Sequence, residues 1–205
     1  MLNLLLPSKF KPAAASDFIG PAGEVAAALE KMLARSRKCN NASMKLLLNG
    51  PPGVGKSELS CWFQALIGCN KWNTTKLNGS EIKLETVNDI AETLRHRNLF
   101  GDYRMCWFEE CDQMTKGAQV RLLTMLDDLP DGVVVICTSN CRLNEFEPRF
   151  QSRFTVFELS APANPEIESL VRRFIPDAGI AQEIAKIARG NVRQALLDAE
   201  MALLT

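Results

Sequence analysis

The sequence predicts an α/β fold in which a mainly parallel β-sheet is sandwiched between helices and followed by a small domain of three helices. The first observation is that short apolar runs alternate with stretches whose apolar residues recur at helical spacing. The second is that strand signals stop from Pro162 onward, where only helical patterns remain. Together they predict a first domain at 1–160 and a second domain at 161–205.

Each element of the first domain is predicted from a local pattern. Val25, Leu29, Met32 and Leu33 share one face of a helix predicted at 21–35. Apolar runs of strand type and patterns of helical type follow in turn, and 133–137 is a continuous apolar run typical of a buried strand. The predicted strands are 44–48, a short strand with a turn within 71–79, 105–108, 133–137 and 154–158, and the predicted helices are 58–67, 87–94 and 116–126.

The second domain is predicted as three helices. Apolar residues recur at helical spacing in 165–174, 178–188 and 192–204. The breaks at 175–176, which contains a proline, and at 189–191, which contains a glycine, separate them.

Composition limits the classes of function. Lys and Arg total 24, equal to Asp and Glu, so any contact with nucleic acid must come from a local basic face rather than from net charge. The seven cysteines form no C-x-x-C pair, which favours reduced, buried thiols in a cytosolic protein over a metal site or a disulfide framework. No apolar run approaches the roughly 18 residues of a membrane span, so we expect no membrane partner and a cytoplasmic location, or a nuclear one in a eukaryote.

A glycine-rich segment between the first predicted strand and the next helix matches the phosphate-binding loop G-x-x-x-x-G-K-[ST] without a mismatch. Its residues are Gly50, Pro51, Pro52, Gly53, Val54, Gly55, Lys56 and Ser57. Glycines let successive backbone N–H groups face a phosphate, Lys56 reaches the β- and γ-phosphates, and the Ser57 hydroxyl joins the Mg²⁺ shell. The alternative is a chance glycine-rich turn, but the strand before and the helix after favour a sheet of the P-loop NTPase type.

Polar residues follow two later strands. Glu109 and Glu110 end the run 105–108, where the first carboxylate can face a metal ion and the second an attacking water, although two acids after a strand are also common in plain turns. Asn140 follows the strand 133–137 and could hold that water, or it is an ordinary loop asparagine.

At this point the sequence resembles the AAA+ ATPases, and within them the clamp-loader branch, most closely the small subunits of replication factor C. The matching runs are 50–57, 109–119, 138–140, Glu147-Pro148 with 151–154, and 190–196. The resemblance implies an AAA+ fold with a helical lid at 161–205, ATP and Mg²⁺ as ligands, and further copies or related AAA+ subunits as partners.

The same resemblance implies roles for individual residues. Lys56 and Ser57 would bind phosphate and Mg²⁺, Glu110 would be the catalytic base and Asn140 the first sensor. Arg153 looks like the arginine finger that enters a neighbouring subunit's site, although taken alone it is more typical of a surface salt bridge. Arg193 looks like the second sensor on the lid, and Phe18, Ile19 and Gly20 would lie beside the adenine.

Three features depart from the family pattern. Glu109 stands where the family usually has Asp, and its longer side chain could move the water shell of the metal ion and slow hydrolysis. Phe154 replaces the cysteine of the clamp-loader Ser-Arg-Cys motif, which changes little physically. The chain ends at residue 205 without the collar of clamp loaders, which implies either a fragment or a compact ATPase that assembles through ATP alone.

The expected function is an ATP-driven switch that assembles through ATP at subunit interfaces and acts on DNA or on a DNA-bound protein. Lys83, Lys116 and Arg121 are the candidate DNA contacts, with simple solubility as the alternative. Two other functions stay open: a viral motor resembling superfamily 3 helicases, which the run 190–193 disfavours, and a nucleotide-binding scaffold with little hydrolysis.

Overall fold

The described part of the chain is organised around a five-stranded parallel sheet. The computed structural model describes residues 10–96, 98, 101–146 and 148–204. The strands lie in the order β2-β3-β4-β1-β5, and each described pairing is parallel. They are β1 (Met44–Asn49), β2 (Thr74–Asn78), β3 (Arg104–Glu109), β4 (Val133–Ser139) and β5 (Thr155–Glu158). The predicted α/β fold with a parallel sheet is confirmed.

Helices alternate with these strands and then continue alone to the end of the described chain. They are α1 (Gly20–Lys38), α2 (Lys56–Leu66), α3 (Leu84–Arg95), α4 (Lys116–Asp127), α5 (Pro148–Gln151), α6 (Asn164–Val171), α7 (Ala178–Ala188) and α8 (Val192–Ala202). The helix α5 was not predicted, because its four residues make a single turn and show no periodicity. Glu147, quoted above for the resemblance, lies outside the described residues.

Side-chain caps explain where three of the helices begin. The Thr115 hydroxyl accepts a hydrogen bond from the backbone N–H of Ala118 at 3.3 Å and starts α4. Asp177 accepts from two backbone N–H groups at the start of α7, and Asn191 accepts from one at the start of α8. Each cap satisfies N–H groups that the first turn of a helix leaves without a partner.

Both faces of the sheet are buried. Successive side chains of a strand point to opposite faces, so Leu46 and Leu48 lie on one face of β1 and Leu47 on the other, and all three are fully buried. On the face of Leu47, Ile90 of α3 and Leu122 of α4 belong to the same apolar core. Full burial of a side chain of this size contributes roughly 1.5–3 kcal/mol, so this core holds α3 and α4 on the sheet.

The carboxyl ends of the parallel strands lie at one edge of the sheet. Asn49 ends β1, Glu109 ends β3 and Ser139 ends β4, and the strand register pairs Asn49 with Ser139. Ligands of open α/β sheets bind outside this edge, so it positions the candidate catalytic residues that follow β3 and β4.

The chain divides into two compact units. One contains the whole sheet and consists of Leu29–Asn49 and Phe63–Glu158; the other contains the segment up to Ala28, Gly50–Trp62 and Leu159–Thr205. In the second of these, α6, α7 and α8 bury Ile167, Ala185 and Ala199 in a common apolar core. The predicted domain boundary between residues 160 and 161 stays a prediction.

All seven cysteines are free, but their exposure differs. Cys69, Cys106, Cys111 and Cys137 are buried, whereas Cys39 and Cys61 are exposed, so the expectation of buried thiols is wrong for those two. Burial raises the pKa of Cys69 to about 11 and that of Cys106 to about 12, which keeps both thiols protonated and unreactive at neutral pH. None of the described helices is both long and apolar enough to cross a membrane.

Candidate functional site

The phosphate-loop segment continues β1 directly and opens α2, as its motif requires. Gly53 has a φ of 81°, which residues with a side chain rarely adopt. A Cβ at this position would also collide with the side chain of Asn191. The backbone N–H of Val192 donates to the Gly53 carbonyl oxygen at 3.0 Å. Glycine at 53 therefore allows the start of α8 to approach the loop backbone.

Lys56 is folded into its own loop. Its Nζ donates to the carbonyl oxygens of Gly50 at 2.6 Å and Pro51 at 2.8 Å, and the residue is only 9% exposed. Charge-assisted hydrogen bonds of this kind are stronger than neutral ones, so the ammonium group is fixed within the curl of the backbone. Ser57 follows as the second residue of α2 and is half-buried.

The segment predicted to lie beside the base packs on α2 and the C-terminal helices. The Phe18 and Trp62 rings meet edge to face with centroids 5.5 Å apart, and Ile19 packs against the apolar core of α6, α7 and α8. Gly20 lies against the carboxylate of Glu166, which also accepts from the backbone N–H of Ala163 at 2.7 Å. Phe18, Trp62 and Ile19 give this surface an aromatic and apolar part that suits a flat heterocycle, while a carboxylate lies at Gly20.

Arg193 lies in the first turn of α8 with an exposed side chain. Its backbone N–H reaches the carbonyl oxygen of Gly53 at 3.4 Å, beside the shorter bond from Val192. The first turn of α8 is thus attached to the phosphate loop through backbone atoms. The contact between Asn191 and Gly53 was missed by the sequence analysis, where Asn191 stood only as part of a helix break and of the run 190–196.

Glu109, at the end of β3, already carries an ion pair. Its carboxylate lies 3.0 Å from Lys76 Nζ on the neighbouring strand, and that ammonium lies 3.8 Å from the ring centroid of Trp107. Serine hydroxyl and carboxylate oxygens are ligands that Mg²⁺ accepts, so Ser57 and Glu109 are each of a chemical type that suits the ion.

Glu110 has a strained backbone and an exposed side chain. Its φ of 51° and ψ of 50° are left-handed, a conformation that costs a non-glycine residue about 1–3 kcal/mol and that clusters at active sites. Its backbone N–H donates to Thr138 Oγ1 of β4 at 3.2 Å, and this contact links Glu110 to the strand that Asn140 follows.

Asn78, at the end of β2, is a residue that sequence reasoning missed. Its Nδ2 donates to the Glu110 carboxylate at 3.5 Å, while its Oδ1 caps the 3-10 turn Gly79–Glu81 by accepting from the Ser80 backbone N–H at 3.0 Å. Gly79 permits this approach, because a Cβ there would collide with the carbonyl oxygen of Glu110. An asparagine at the end of a strand, directly before a glycine, is the only local signal.

Asn140 is exposed immediately after β4, and the amide oxygen of Asn49 lies buried at the end of the adjacent β1. Among the described residues, Asn49 Oδ1 has no hydrogen-bond partner. The parallel register therefore brings Glu110, Thr138 and the strand end before Asn140 to one edge of the sheet.

Arg153 is bound within its own chain. Its Nε and Nη2 donate to the two carboxylate oxygens of Asp127 at 3.0 and 3.1 Å, and Nη1 donates to Ser152 Oγ at 3.3 Å. The hydrogen bond from Arg153 lowers the pKa of Asp127, so the pair is charged at neutral pH. Arg153 therefore has the surface salt bridge that its sequence alone suggested, and a role in a neighbouring subunit stays a prediction.

The candidate DNA contacts lie on α3 and α4. Lys83 precedes α3, and Lys116 begins α4; both are exposed. Arg121 instead donates from Nε to Asn88 Oδ1 of α3, so its charge is partly engaged. The exposed apolar side chains Leu84 and Val120 lie on the same two helices.

Comparison with known proteins connects these features to a family. Residues 46–160, more than half of the chain, match the family described as ATPase family associated with various cellular activities (AAA). The fold is similar to solved structures of Thermotoga maritima RuvB variants: one has a TM-score of 0.76 at 21% identity over 91% of this chain, and another 0.75 at 20% identity over 92%. At such identity the likeness shows the fold alone.

This chain spans 63% and 64% of the length of those two RuvB chains. No match was found among curated proteins.

Proposed function

The chain belongs to the ATPase family associated with various cellular activities (AAA), and on this premise we propose that it is an ATP-driven switch that hydrolyses ATP. The phosphate loop carries the proposal: it joins β1 to α2, it contains the full G-x-x-x-x-G-K-[ST] motif, and its Lys56 ammonium is already fixed within the loop.

ATP binding would use the loop and the residues packed beside it. The loop N–H groups and Lys56 would hold the β- and γ-phosphates at the positive end of α2. Ser57 directly and Glu109 through water would hold Mg²⁺, which neutralises phosphate charge when bound. Phe18, Ile19 and Gly20 would contact the adenine.

Hydrolysis would use residues at the carboxyl ends of β3 and β4. Glu110 would accept a proton from the attacking water and Asn140 would orient that water. The strained backbone of Glu110 supports this role, because such strain persists at functional positions. Arg193 would sense the γ-phosphate, supported by the backbone bonds from the start of α8 to Gly53.

Assembly and target form the finer part of the proposal. Arg153 would reach the ATP of a neighbouring copy or a related AAA+ subunit, so that ATP orders an assembly and hydrolysis releases it. The motif resemblance supports a clamp-loader-like role on DNA or on a DNA-bound protein during replication, repair or recombination. The exposed Lys83 and Lys116 support the DNA contact, and the free cysteines suit a cytoplasmic or nuclear location.

A nucleotide-binding scaffold is the second candidate, and one observation favours it. The Glu109 carboxylate is already paired with Lys76, which competes with its approach to a metal ion. Such a protein would assemble with ATP but would hydrolyse it slowly.

Steady-state ATPase with and without DNA, combined with sizing in ATP and in ADP, tests the proposal. Arg153→Ala should lower the stimulated hydrolysis rate by about 100-fold or more while ATP affinity stays within about threefold, because a trans arginine stabilises transition-state charge. The exposed Arg142→Ala is the matched control. An equal loss of ATP affinity would argue against a role in trans, and assembly in ATP with negligible wild-type hydrolysis would favour the scaffold.

The DNA contact has its own readout in the same samples. DNA binding should weaken as the salt concentration rises, because contacts to DNA phosphates release counterions. An isotherm that is insensitive to salt would remove DNA from the proposal and leave the ATP-driven switch intact.

A further inference from the structure

We propose that Asp127 is a positioning residue for Arg153: it holds the guanidinium in one orientation, with the end of its fork presented to the phosphate of ATP bound by a neighbouring copy. The inference rests on the proposed function, because it gives Arg153 its role in trans. It concerns a residue for which neither the sequence motifs nor the resemblance assigns a role.

The geometry of the pair leaves the phosphate-binding part of Arg153 available. Asp127 occupies the side edge of the fork, formed by Nε and Nη2, at 3.0 and 3.1 Å. With the bond from Nη1 to Ser152 Oγ, three of five guanidinium N–H groups have partners among the described residues. One N–H group on Nη1 and one on Nη2 remain, and arginine N–H groups bind phosphate oxygens well. The side chain is 35% exposed, so a partner can reach it.

The backbone of Arg153 is also held in place. Its N–H donates to the Phe150 carbonyl oxygen at 3.2 Å, in the turn between α5 and β5. Phe150 is 1% exposed and Phe154 is 9% exposed, and their ring centroids lie 5.0 Å apart in the core. With the backbone anchored in the core and the guanidinium held by Asp127, both ends of the flexible side chain are constrained.

Helix stability does not explain an acid at position 127. Asp127 is the last residue of α4, where the helix dipole disfavours negative charge, and Asp128 follows it. The α4 helix would therefore gain from a neutral or basic residue here. What Asp127 does supply is a carboxylate on the Nε–Nη2 edge of Arg153, so its own bonds do not use the Nη1–Nη2 end of the guanidinium.

Holding the arginine beforehand would speed the reaction. A free arginine loses rotamer freedom when it reaches a phosphate, and that loss raises the barrier to hydrolysis. A guanidinium that is already oriented avoids most of this loss and is aimed where charge develops.

The test compares Asp127→Ala with Asp127→Glu and Asp128→Ala in the full chain. We expect stimulated hydrolysis to fall about tenfold for Asp127→Ala, with ATP affinity unchanged. The unfolding temperature should change little, because the lost exposed ion pair and the relief of negative charge at the end of α4 are small and opposite in sign. Asp127→Glu keeps the carboxylate and should recover at least part of the rate, and the neighbouring exposed Asp128→Ala should match wild type. A fall of less than about threefold for Asp127→Ala, or a rise, would overturn the inference.

Assemblies that mix two variants test the positioning role, because recovery of hydrolysis in a mixture would not follow from a merely structural role. Asp127→Ala copies keep their own loop and lack a positioned arginine, whereas Lys56→Ala copies lack the loop lysine and keep the arginine. Mixing these two should restore hydrolysis at the shared interface, while mixing Asp127→Ala with Arg153→Ala should not. Restoration in both mixtures, or in neither, would refute positioning in trans. If Arg153→Ala itself has no effect, the proposed function fails instead.

Discussion

Lys56 and Glu110 are both central to the proposed site, yet the molecule holds them in different ways. Lys56 is 9% exposed, and two carbonyl oxygens of its own loop accept its hydrogen bonds at 2.6 and 2.8 Å. The Glu110 side chain is exposed, and among the described residues it has one long hydrogen bond, 3.5 Å from Asn78 Nδ2. The proposed phosphate-binding group is thus held by neighbours in sequence, whereas the proposed catalytic base is contacted by a residue at the end of another strand.

This difference has a physical consequence for regulation. Short charge-assisted bonds to the backbone persist as long as the loop is folded. A long contact between exposed side chains contributes little, and small movements can break it. In the proposed function, nucleotide binding would therefore depend on the folded loop itself, whereas hydrolysis could be adjusted without disturbing binding.

Glu110→Gln should separate hydrolysis from ATP binding most clearly. The amide keeps the size of the side chain but cannot accept a proton, so hydrolysis should fall by about 10²- to 10⁴-fold. ATP affinity should stay within about threefold, because the loop is untouched. Single-turnover hydrolysis and equilibrium ATP binding measure the two quantities, with exposed Glu85→Gln as the control. A comparable loss of ATP affinity and of hydrolysis would show that Glu110 does not act on hydrolysis alone.

The converse change, Lys56→Ala, should mainly weaken ATP binding. Loss of a buried, hydrogen-bonded charge typically costs about 2–4 kcal/mol, which corresponds to a loss of ATP affinity of about 30- to 1,000-fold. Calorimetric titration with ATP measures it, and exposed Lys71→Ala controls for the loss of a positive charge. Unchanged ATP affinity would show that this loop is not where the nucleotide binds.

The local sequence predicts the loop far better than it predicts the contacts between strands. The loop motif, the strand before it and the helix after it are adjacent in sequence, so spacing alone locates them. The Asn78–Glu110 contact joins residues 32 positions apart, and the Lys76–Glu109 pair likewise connects β2 to β3. Both contacts depend on which strands are neighbours and on their register. Because strands buried on both faces read as continuous apolar runs rather than alternating ones, their sequences specify neither.

Two other features could not be predicted from the sequence, for different reasons. The left-handed Glu110 is held by a local turn bond from the Gln113 N–H and by its own N–H bond to Thr138, and the second bond forms only once β3 and β4 are paired. The Asp127–Arg153 pair requires that α4 end opposite the turn after α5, and α5 is too short to be predicted. The resemblance identified Arg153 but carried no information about its partner in this chain.

The smallest expected effect comes from Asn78, and it tests whether the Glu110 contact can be adjusted. Asn78→Asp keeps the oxygen that caps the turn Gly79–Glu81 but replaces the donor to Glu110 with a negative charge. A base held at Asn78 is less free to turn toward water, so hydrolysis should rise about two- to fivefold, the gain expected from losing one weak hydrogen bond. Ser80→Ala, which leaves that donor in place, should not change the rate. If Asn78→Asp instead slows hydrolysis, Asn78 aligns Glu110 for the reaction, and the end of β3 is organised in advance much as the phosphate loop is.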